Sequence, residues 1–290
     1  MSASDHLHIQ HWDQFFADDL HARLYPTWWD ATTANHWRHR RFMEPVIDVI
    51  QAADASWLTV GDGSGHDTWM MLRHGHRDIL TTDIGIGTLR RSHAEGHIQK
   101  YAQANAEHLH FADQQFDFVL CKEAFHHMSR PYLGLYEMLR VARKALVLIE
   151  PQDPWIDFPT RAGSPQPSYE RVGNFVYDLS VRELQKVCLG LNLPALLWKN
   201  HFDVYVQGCE FARADPDDPV FRAMTEAVRQ GEARCRRRED KWNYLLAVLI
   251  KEPKLLSGDD QGVERQAHDR GWTIERTDRN PLLKSSYPGA

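Results

Sequence analysis

The sequence feature that most constrains the fold is a glycine-rich turn within TVGDGSGHD, residues 59–67. Gly61, Gly63 and Gly65 follow an apolar run over residues 55–60 and precede a stretch with helical spacing. Because glycine lacks a Cβ and tolerates positive φ, a ligand can approach the main chain closely at such a turn. The pattern predicts a strand, a turn and a helix whose N-terminus faces a ligand. Taken alone, it also fits an ordinary loop.

Short apolar runs alternate with polar, helix-like stretches along the chain. After the first run come DILTTDI (78–84), FDFVLC (116–121) and ALVLIE (145–150), and further strand candidates lie within 195–208 and 243–250. Such alternation indicates β-α-β units, in which buried strands form a mostly parallel sheet with helices on both faces. The predicted fold class is a doubly wound α/β sheet.

Changes in composition predict the domain organisation. Residues 1–53 are rich in aromatic side chains at helical spacing and predict a helical N-terminal cap segment. The ligand-binding core is predicted over 54–252, with a proline-rich stretch at about 151–180 forming a substrate cap. Residues 253–290 are mostly polar and predict a weakly packed tail.

Composition argues against several classes of protein. The formal net charge of -6 gives no electrostatic reason to expect a nucleic-acid partner. The four cysteines are too scattered for a disulfide framework or a zinc site built on paired C-x-x-C motifs. No apolar run approaches the roughly 18 residues of a membrane span, and the N-terminus lacks the regions of a signal peptide. We expect a cytoplasmic protein without a membrane partner.

Asp83 ends the second apolar run and narrows the choice of ligand. In a doubly wound sheet, an acidic residue at this position can accept hydrogen bonds from both ribose hydroxyls of a nucleotide, although it can also simply cap a helix. The glycines are spaced G-x-G-x-G instead of the dinucleotide pattern G-x-G-x-x-G. Asp67, at the mouth of the helix, would repel a pyrophosphate but suits an ammonium group. The balance shifts from NAD toward S-adenosylmethionine.

A third segment, NAEHLHFADQQFDFVLC (105–121), completes a recognisable set with VGDGSGHD and TTDI. Together these motifs resemble the class I S-adenosylmethionine-dependent methyltransferases, in the branch that acts mostly on small molecules, from about residue 55 to 150. The resemblance implies a Rossmann-like sheet of seven strands, with a cap insertion after the fifth strand. It also implies S-adenosyl-L-methionine as the cofactor.

The resemblance further implies a role for each matching residue. The methionine part of the cofactor would be lined by Gly61, Asp62, Gly63 and Gly65. Asp83 would bind the ribose, and the carbonyl of Lys122 would accept from the cofactor's amino group. The adenine would meet the side chain of Asn105 and the backbone N–H of Ala106.

Two residues depart from the family pattern. Thr59 stands where the family usually has an acidic residue, two positions before the first glycine. Asn105 replaces the commoner aspartate, but its amide still offers an acceptor to the adenine amine. Thr59 therefore leaves part of the methionine site unexplained.

The segment CKEAFHHMSRP, residues 121–131, follows the fourth strand and would face the transferred methyl group. Methyl transfer needs a general base only when the acceptor arrives protonated, as an alcohol does. Glu123, His126 and His127 are the candidate catalytic residues, and one histidine is favoured because imidazole titrates near neutral pH. Each could instead be a capping, core or exposed helix residue.

The 17 histidines also raise the question of a metal site. Only His93 and His97, among the close pairs, have the i, i+4 spacing that places two ligands on one helix face, and there is no H-E-x-x-H motif. We therefore predict no metal.

Substrate contacts are expected from the N-terminal segment and the proline-rich stretch, since both would overhang the carboxyl ends of the strands. This pool comprises Trp28, Trp29, Trp37, Trp155, Phe158, Arg161, Tyr169, Asn174 and Tyr177. Such a mixture suits a small polar acceptor that carries a hydroxyl or amine, such as a sugar or natural-product precursor. Alternatives are an inactive cofactor-binding regulator or scaffold and an RNA methyltransferase. The sequence leaves open whether the chain forms a homodimer.

Overall fold

The computed structural model describes residues 3–17, 19–153, 175–256 and 263–277, which contain one eight-stranded sheet. In the spatial order β3-β2-β1-β4-β5-β7-β6-β8, the first five strands run parallel, and β7 is antiparallel to β5 and β6. β8 is antiparallel to β6. The strands are β1 (Ser56–Val60), β2 (Asp78–Asp83), β3 (Tyr101–Gln103), β4 (Phe116–Lys122), β5 (Ala142–Pro151), β6 (Ala195–His201), β7 (Tyr244–Ile250) and β8 (Thr273–Arg276).

Helices connect the strands and cover both faces of the sheet. They are α1 (Ala3–Asp13), α2 (Asp19–Trp28), α3 (Ala34–Ile47), α4 (His66–Arg73), α5 (Gly87–Ala94), α6 (Pro131–Val141), α7 (Val181–Gly190), α8 (Pro219–Arg236) and α9 (Val263–Asp269). The predicted α/β fold is confirmed, with the glycine turn between a strand and a helix and with β2 parallel to β1.

The eighth strand is the one difference from the predicted strand count. β8 lies within residues 253–290, the segment for which the sequence predicts a polar tail. Its residues, TIER, are exposed or only partly buried, because β8 forms the edge of the sheet beside β6. A short edge strand with charged side chains lacks the apolar run that marks a buried strand.

The central strands are buried on both faces, and successive side chains enter two different cores. In β5, Leu146 and Leu148 pack with residues of α6 and α7. Val147 and Ile149 point to the opposite face and pack with residues of α3, α4 and α9. This period of two along a continuous apolar run is typical of a strand covered by helices on both sides.

The N-terminal helices lie across the carboxyl edge of the sheet. Trp12 of α1 packs so closely over Gly63 that a Cβ there would meet the indole ring. Asp13 accepts a hydrogen bond from the backbone N–H of Gly87 at 3.0 Å. Tyr25 of α2 forms a 3.0 Å hydrogen bond with Ser92 on α5. The segment before β1 therefore covers the glycine turn.

No helix in the described part of the chain could cross a membrane.

Helix α8 shows how a glycine can be required for packing. Its buried residues recur at spacings of three and four, which places them on one helix face: Phe221, Met224, Val228, Gly231 and Cys235. A Cβ at Gly231 would overlap the ring of Phe202, so this ring occupies the space that a larger side chain would need. At Gly190, in the last turn of α7, a Cβ would meet nothing within 4 Å.

We expect opposite effects from alanine at these two positions. Gly190→Ala should stabilise the protein by up to about 1 kcal/mol, because glycine is a poor helix former. Gly231→Ala should destabilise it by about 1 to 3 kcal/mol, because Phe202 must move from its site. Urea unfolding of the two variants beside wild type checks this. Equal effects in both would show that Phe202 does not constrain α8.

Candidate functional site

The glycine turn after β1 is built as the sequence predicts, and its residues have distinct tasks. Gly61, Gly63 and Gly65 all have positive φ, and Gly65 is the N-cap of α4. A Cβ at Gly65 would lie 2.7 Å from Ile98, so this glycine packs against the protein instead of lining a cavity. The carboxylate of Asp62 accepts from the backbone N–H groups of Asp67 and Thr68, each at 3.0 Å, and fixes the start of α4.

Asp83, at the end of β2, joins two neighbouring loops. Its two carboxylate oxygens accept hydrogen bonds from the backbone N–H groups of Gly63 and Gly85, each at 2.9 Å. Burial raises the pKa of Asp83 to about 6 despite these bonds. The carboxylate still lines a cavity, and each oxygen has a further lone pair for a ligand donor.

Asn105 lines the same cavity, and its carbonyl oxygen already accepts one hydrogen bond within the protein. The donor is the backbone N–H of Glu107 at 2.8 Å, which closes a tight turn beside Ala106. A ligand could still meet the second lone pair of this oxygen or the side-chain amide N–H groups of Asn105. The sequence analysis considers only the oxygen, as an acceptor for the adenine amine.

A cavity with a volume of about 290 Å³ lies above the carboxyl ends of β1, β2 and β4. The order of the strands reverses between β1 and β4, and ligands of doubly wound sheets bind at such a switch point. We call this space the nucleoside cavity; it is lined by Asp5, His8, His11, Trp12, Val60, Gly61, Asp83, Ile84, Ala104, Asn105, Ala106, Glu107, Glu123, Ala124, His127 and Met128.

A second cavity of about 200 Å³ lies next to it, and both are lined by Trp12 and Gly61. We call it the charged cavity; it is lined by Trp12, Trp28, His39, Gly61, Asp62, Gly63, Ser64, His66, Asp67 and Lys122. Because the cavities share walls, one elongated ligand could extend from the nucleoside cavity across the glycine turn.

The charged cavity contains an ion pair that is almost fully buried. The Lys122 ammonium lies 3.2 Å from the carboxylate of Asp67 and 2.9 Å from that of Glu123. Burial opposes the charge of Lys122, but the two carboxylates raise its pKa above the usual value. The buried Nδ1 of His39 has no hydrogen-bond partner among the described residues, and burial holds the pKa of this imidazole well below its usual value. Polar ligand groups would find both charges and a neutral imidazole here.

Glu123 lines the nucleoside cavity but is held by protein groups. Its carboxylate accepts from Lys122 and, at 2.7 Å, from the hydroxyl of Tyr244. Burial would raise the pKa of Glu123, yet the cationic side chains of Lys122 and Arg38 hold that pKa well below its usual range. An ionised carboxylate that already accepts two hydrogen bonds is a weak proton acceptor, which argues against Glu123 as the base.

The two adjacent histidines have different surroundings in the structure. His126 is buried, and its Nδ1 lies 2.7 Å from the carboxylate of Glu150, which is itself fully buried. His126 is not among the residues that line the cavities, whereas His127 lines the nucleoside cavity. Of the three predicted catalytic side chains, His127 alone combines a place in the cavity wall with an imidazole.

Helix α1 contributes residues that the sequence analysis misses. Asp5, His8 and Trp12 recur at spacings of three and four, so they share one helix face, and with His11 they line the nucleoside cavity. The ring of His8 lies 5.2 Å from that of His127. The spacing places these side chains on one helix face, but nothing in the sequence indicates which part of the fold that face covers.

The predicted substrate pool is only partly described. Trp28 lines the charged cavity, whereas Trp29 stacks on His97 at 4.0 Å and Trp37 packs against Phe221. Tyr177 contacts Phe175. The remaining members, Trp155, Phe158, Arg161, Tyr169 and Asn174, lie outside the described residues. Within the described ranges, no group of three or more side chains could hold a metal ion.

Residues 58–149 match the family model of a methyltransferase domain. The match runs from β1 to β5 and includes the glycine turn, Asp83, Asn105 and the turn that carries His127. Residues 58–149 thus form an S-adenosylmethionine-dependent methyltransferase domain.

Solved structures show similar but distant relatives of this methyltransferase. The [4+2]-cyclase SpnF is 17% identical, with a TM-score of 0.48 over 73% of this chain and 80% of that one. A SAM-dependent methyltransferase from Aquifex aeolicus is 14% identical, with a TM-score of 0.42 over 75% and 95% of the two chains. The 1,6-didemethyltoxoflavin-N1-methyltransferase of Burkholderia thailandensis is 14% identical, with a TM-score of 0.44 over 74% of this chain and 80% of that one. Because each TM-score is below 0.5, these similarities do not indicate the activity of this chain. The comparison with curated proteins gave no match.

The cofactor of the methyltransferase is S-adenosylmethionine, and the chemistry of the two cavities fits its two ends. A nucleoside presents hydroxyl donors and ring nitrogens, for which Asp83 and the Asn105 amide are suitable partners. A free amino acid presents an ammonium and a carboxylate, which match the opposite charges of Asp67 and Lys122.

Replacing Asp83 should weaken cofactor binding. We expect Asp83→Asn to reduce S-adenosylmethionine affinity by about 1 to 3 kcal/mol, because ribose hydroxyls lose a charged acceptor. Wild-type affinity should also fall as the pH drops through about 6, since protonation removes that charge, and the variant should lack this dependence. Isothermal titration at several pH values measures both effects. Asp78→Asn, at the exposed start of the same strand, is the control. Equal affinity of all three proteins would remove Asp83 from the site.

Proposed function

We propose that this methyltransferase transfers a methyl group to a hydroxyl or amine of a small polar metabolite, such as a sugar or natural-product precursor. The observation that carries the proposal is the position of His127, which lines the nucleoside cavity together with Asp83 and Asn105. A proton acceptor thus shares a cavity with the residues assigned to the cofactor. The alternative bases are less suitable, since Glu123 and His126 are each engaged by buried partners.

The cofactor, when bound, supplies an activated methyl group on a sulfonium. In the proposed arrangement, Asp83 binds the ribose, Asn105 and Ala106 lie beside the adenine, and the glycine turn with Lys122 and Asp67 binds the methionine end. The protein then has to place the acceptor oxygen or nitrogen in line with the methyl group. His127 accepts the proton from a hydroxyl as the bond forms.

The covering of the site by α1 supports a small, polar acceptor. Asp5, His8, His11 and Trp12 of α1 line the nucleoside cavity, and Trp12 also lines the charged cavity. A macromolecular acceptor would need α1 to move away. The net charge of -6 also gives no attraction for the backbone of RNA. The four buried, unpaired cysteines support a cytoplasmic location.

Turnover distinguishes the proposal from its alternatives. Release of S-adenosylhomocysteine with a fraction of small polar metabolites, but not with RNA, is the expected result. Turnover that depends on RNA would replace the proposed acceptor class. Tight cofactor binding without turnover on any acceptor would indicate a regulatory protein.

His127 is the residue on which the proposed chemistry depends. With a hydroxyl acceptor, we expect His127→Ala to lower kcat by roughly 10²- to 10⁴-fold while cofactor affinity stays within about threefold. His93→Ala, on the exposed face of α5, should leave kcat unchanged. Normal kcat in His127→Ala would mean that positioning alone drives the reaction.

A further inference from the structure

A third cavity, separate from the two described above, lies between α7, the end of α8 and strand β6. Its volume is about 1030 Å³, and it shares no lining residue with the nucleoside cavity or the charged cavity. Its wall includes two tryptophans, Trp198 and Trp242, and several cationic side chains. We call it the arginine cavity and define it by Arg182, Trp198, Arg236, Arg238, Lys241 and Trp242.

The charges of the arginine cavity favour an anion. Four cationic side chains face two carboxylates, Asp153 and Asp240. Asp240 already accepts from Arg234 at 3.2 Å, and Arg236 already pairs with Glu232 at 2.8 Å. The guanidinium of Arg182 makes one hydrogen bond to the described residues, to the neutral side-chain amide of Gln185 at 3.2 Å. The guanidinium of Arg238 makes no hydrogen bond or ion pair with any described residue. Guanidinium groups bind phosphate through paired, charge-assisted hydrogen bonds.

The backbone of Arg238 gives an independent reason to expect a role for its side chain. The residue has φ +58 and follows the C-cap of α8, Arg237. The backbone N–H of Arg238 donates to the carbonyl of Cys235, and the backbone N–H of Glu239 donates to the carbonyl of Arg234, each at 3.0 Å. This pair of bonds is the Schellman motif. Glycine is the usual residue at this left-handed position, and arginine is strained there. Arg238 is exposed, lines the cavity and has no protein partner, so its guanidinium is available to a ligand there.

The two indole rings suggest a flat or ring-shaped part of the ligand. Trp198 projects from β6 and is partly buried, and Trp242 lies two residues before the start of β7. No ring contact joins either indole to another described aromatic side chain. Aromatic rings and the apolar faces of sugars pack well on indole.

We propose that the arginine cavity binds a small phosphorylated ring compound, with Arg238 and Arg182 at the phosphate and Trp198 and Trp242 at the ring. The proposal does not depend on the acceptor or the base assigned above, because the cavity is lined by other residues.

Phenyl phosphate is the minimal probe of this site, and titration calorimetry of the full chain is the measurement. We expect saturable binding of phenyl phosphate, at least tenfold tighter than that of phenol or inorganic phosphate, because each lacks one of the two recognised parts. Arg238→Gly should weaken phenyl phosphate binding at least tenfold. The same substitution should raise Tm by about 2 °C, since glycine relieves the strain at the helix end. A purely structural role of Arg238 would not combine higher stability with lost binding.

Two controls make the result specific. Arg237→Ala should leave binding within twofold of wild type, since Arg237 is exposed, pairs with Glu239 and does not line the cavity. Asp83→Asn should also leave it unchanged, because Asp83 belongs to the nucleoside cavity. The proposal is wrong if phenyl phosphate does not bind saturably, if Arg238→Gly binds it as wild type does, or if Asp83→Asn abolishes its binding.

Discussion

The geometry of the candidate site depends on one buried carboxylate, that of Glu150 near the end of β5. Glu150 is fully buried, and one oxygen accepts from the backbone N–H groups of Ala124 and Phe125 at 2.9 and 3.0 Å. The other oxygen lies 2.7 Å from Nδ1 of His126. These bonds fix the turn after β4, which brings His127 to the nucleoside cavity and Ala124 against Gly61. A carboxylate buried at this depth is tolerable only because its oxygens are bonded, so Glu150 and the turn stabilise each other.

A chain of alternating charges extends from this turn to the helices that cover the sheet. Glu123 joins Lys122 on one side and lies 4.0 Å from Arg38 of α3 on the other. Arg38 in turn pairs with Asp203, which follows β6, at 2.5 Å. Removing one member would leave a buried charge without its partner, a loss that typically costs about 3 to 5 kcal/mol. Helix α3 is thus tied electrostatically to the edge of the sheet that carries the candidate site, so positioning of that site and stability are coupled.

The parts of the fold and site that the sequence predicts are those determined by local pattern. The glycine turn, Asp83 at the end of β2 and the buried strands depend on neighbours within a few residues, and the structure has all of them. The roles of His126 and His127 could not be distinguished, because that difference depends on Glu150, which is distant in sequence. The contribution of α1 depends on how a helix outside the sheet docks, and no local pattern specifies this. The edge strand β8 has no apolar run, and its pairing with β6 is what defines it as a strand.

The replacement of the usual family acid by Thr59 follows from how the start of α4 is built. The hydroxyl of Thr59 is buried and lies 3.1 Å from that of Thr68, which donates to Asp62 at 2.8 Å. Thr59 thus belongs to a buried hydroxyl chain that holds Asp62 against α4, and it does not line either cavity. Both oxygens of Asp62 are engaged by this helix start, which leaves Asp67 as the other carboxylate in the described wall of the charged cavity. A positively charged ligand group would therefore meet its counter-charge on α4, one residue into the helix, instead of on β1.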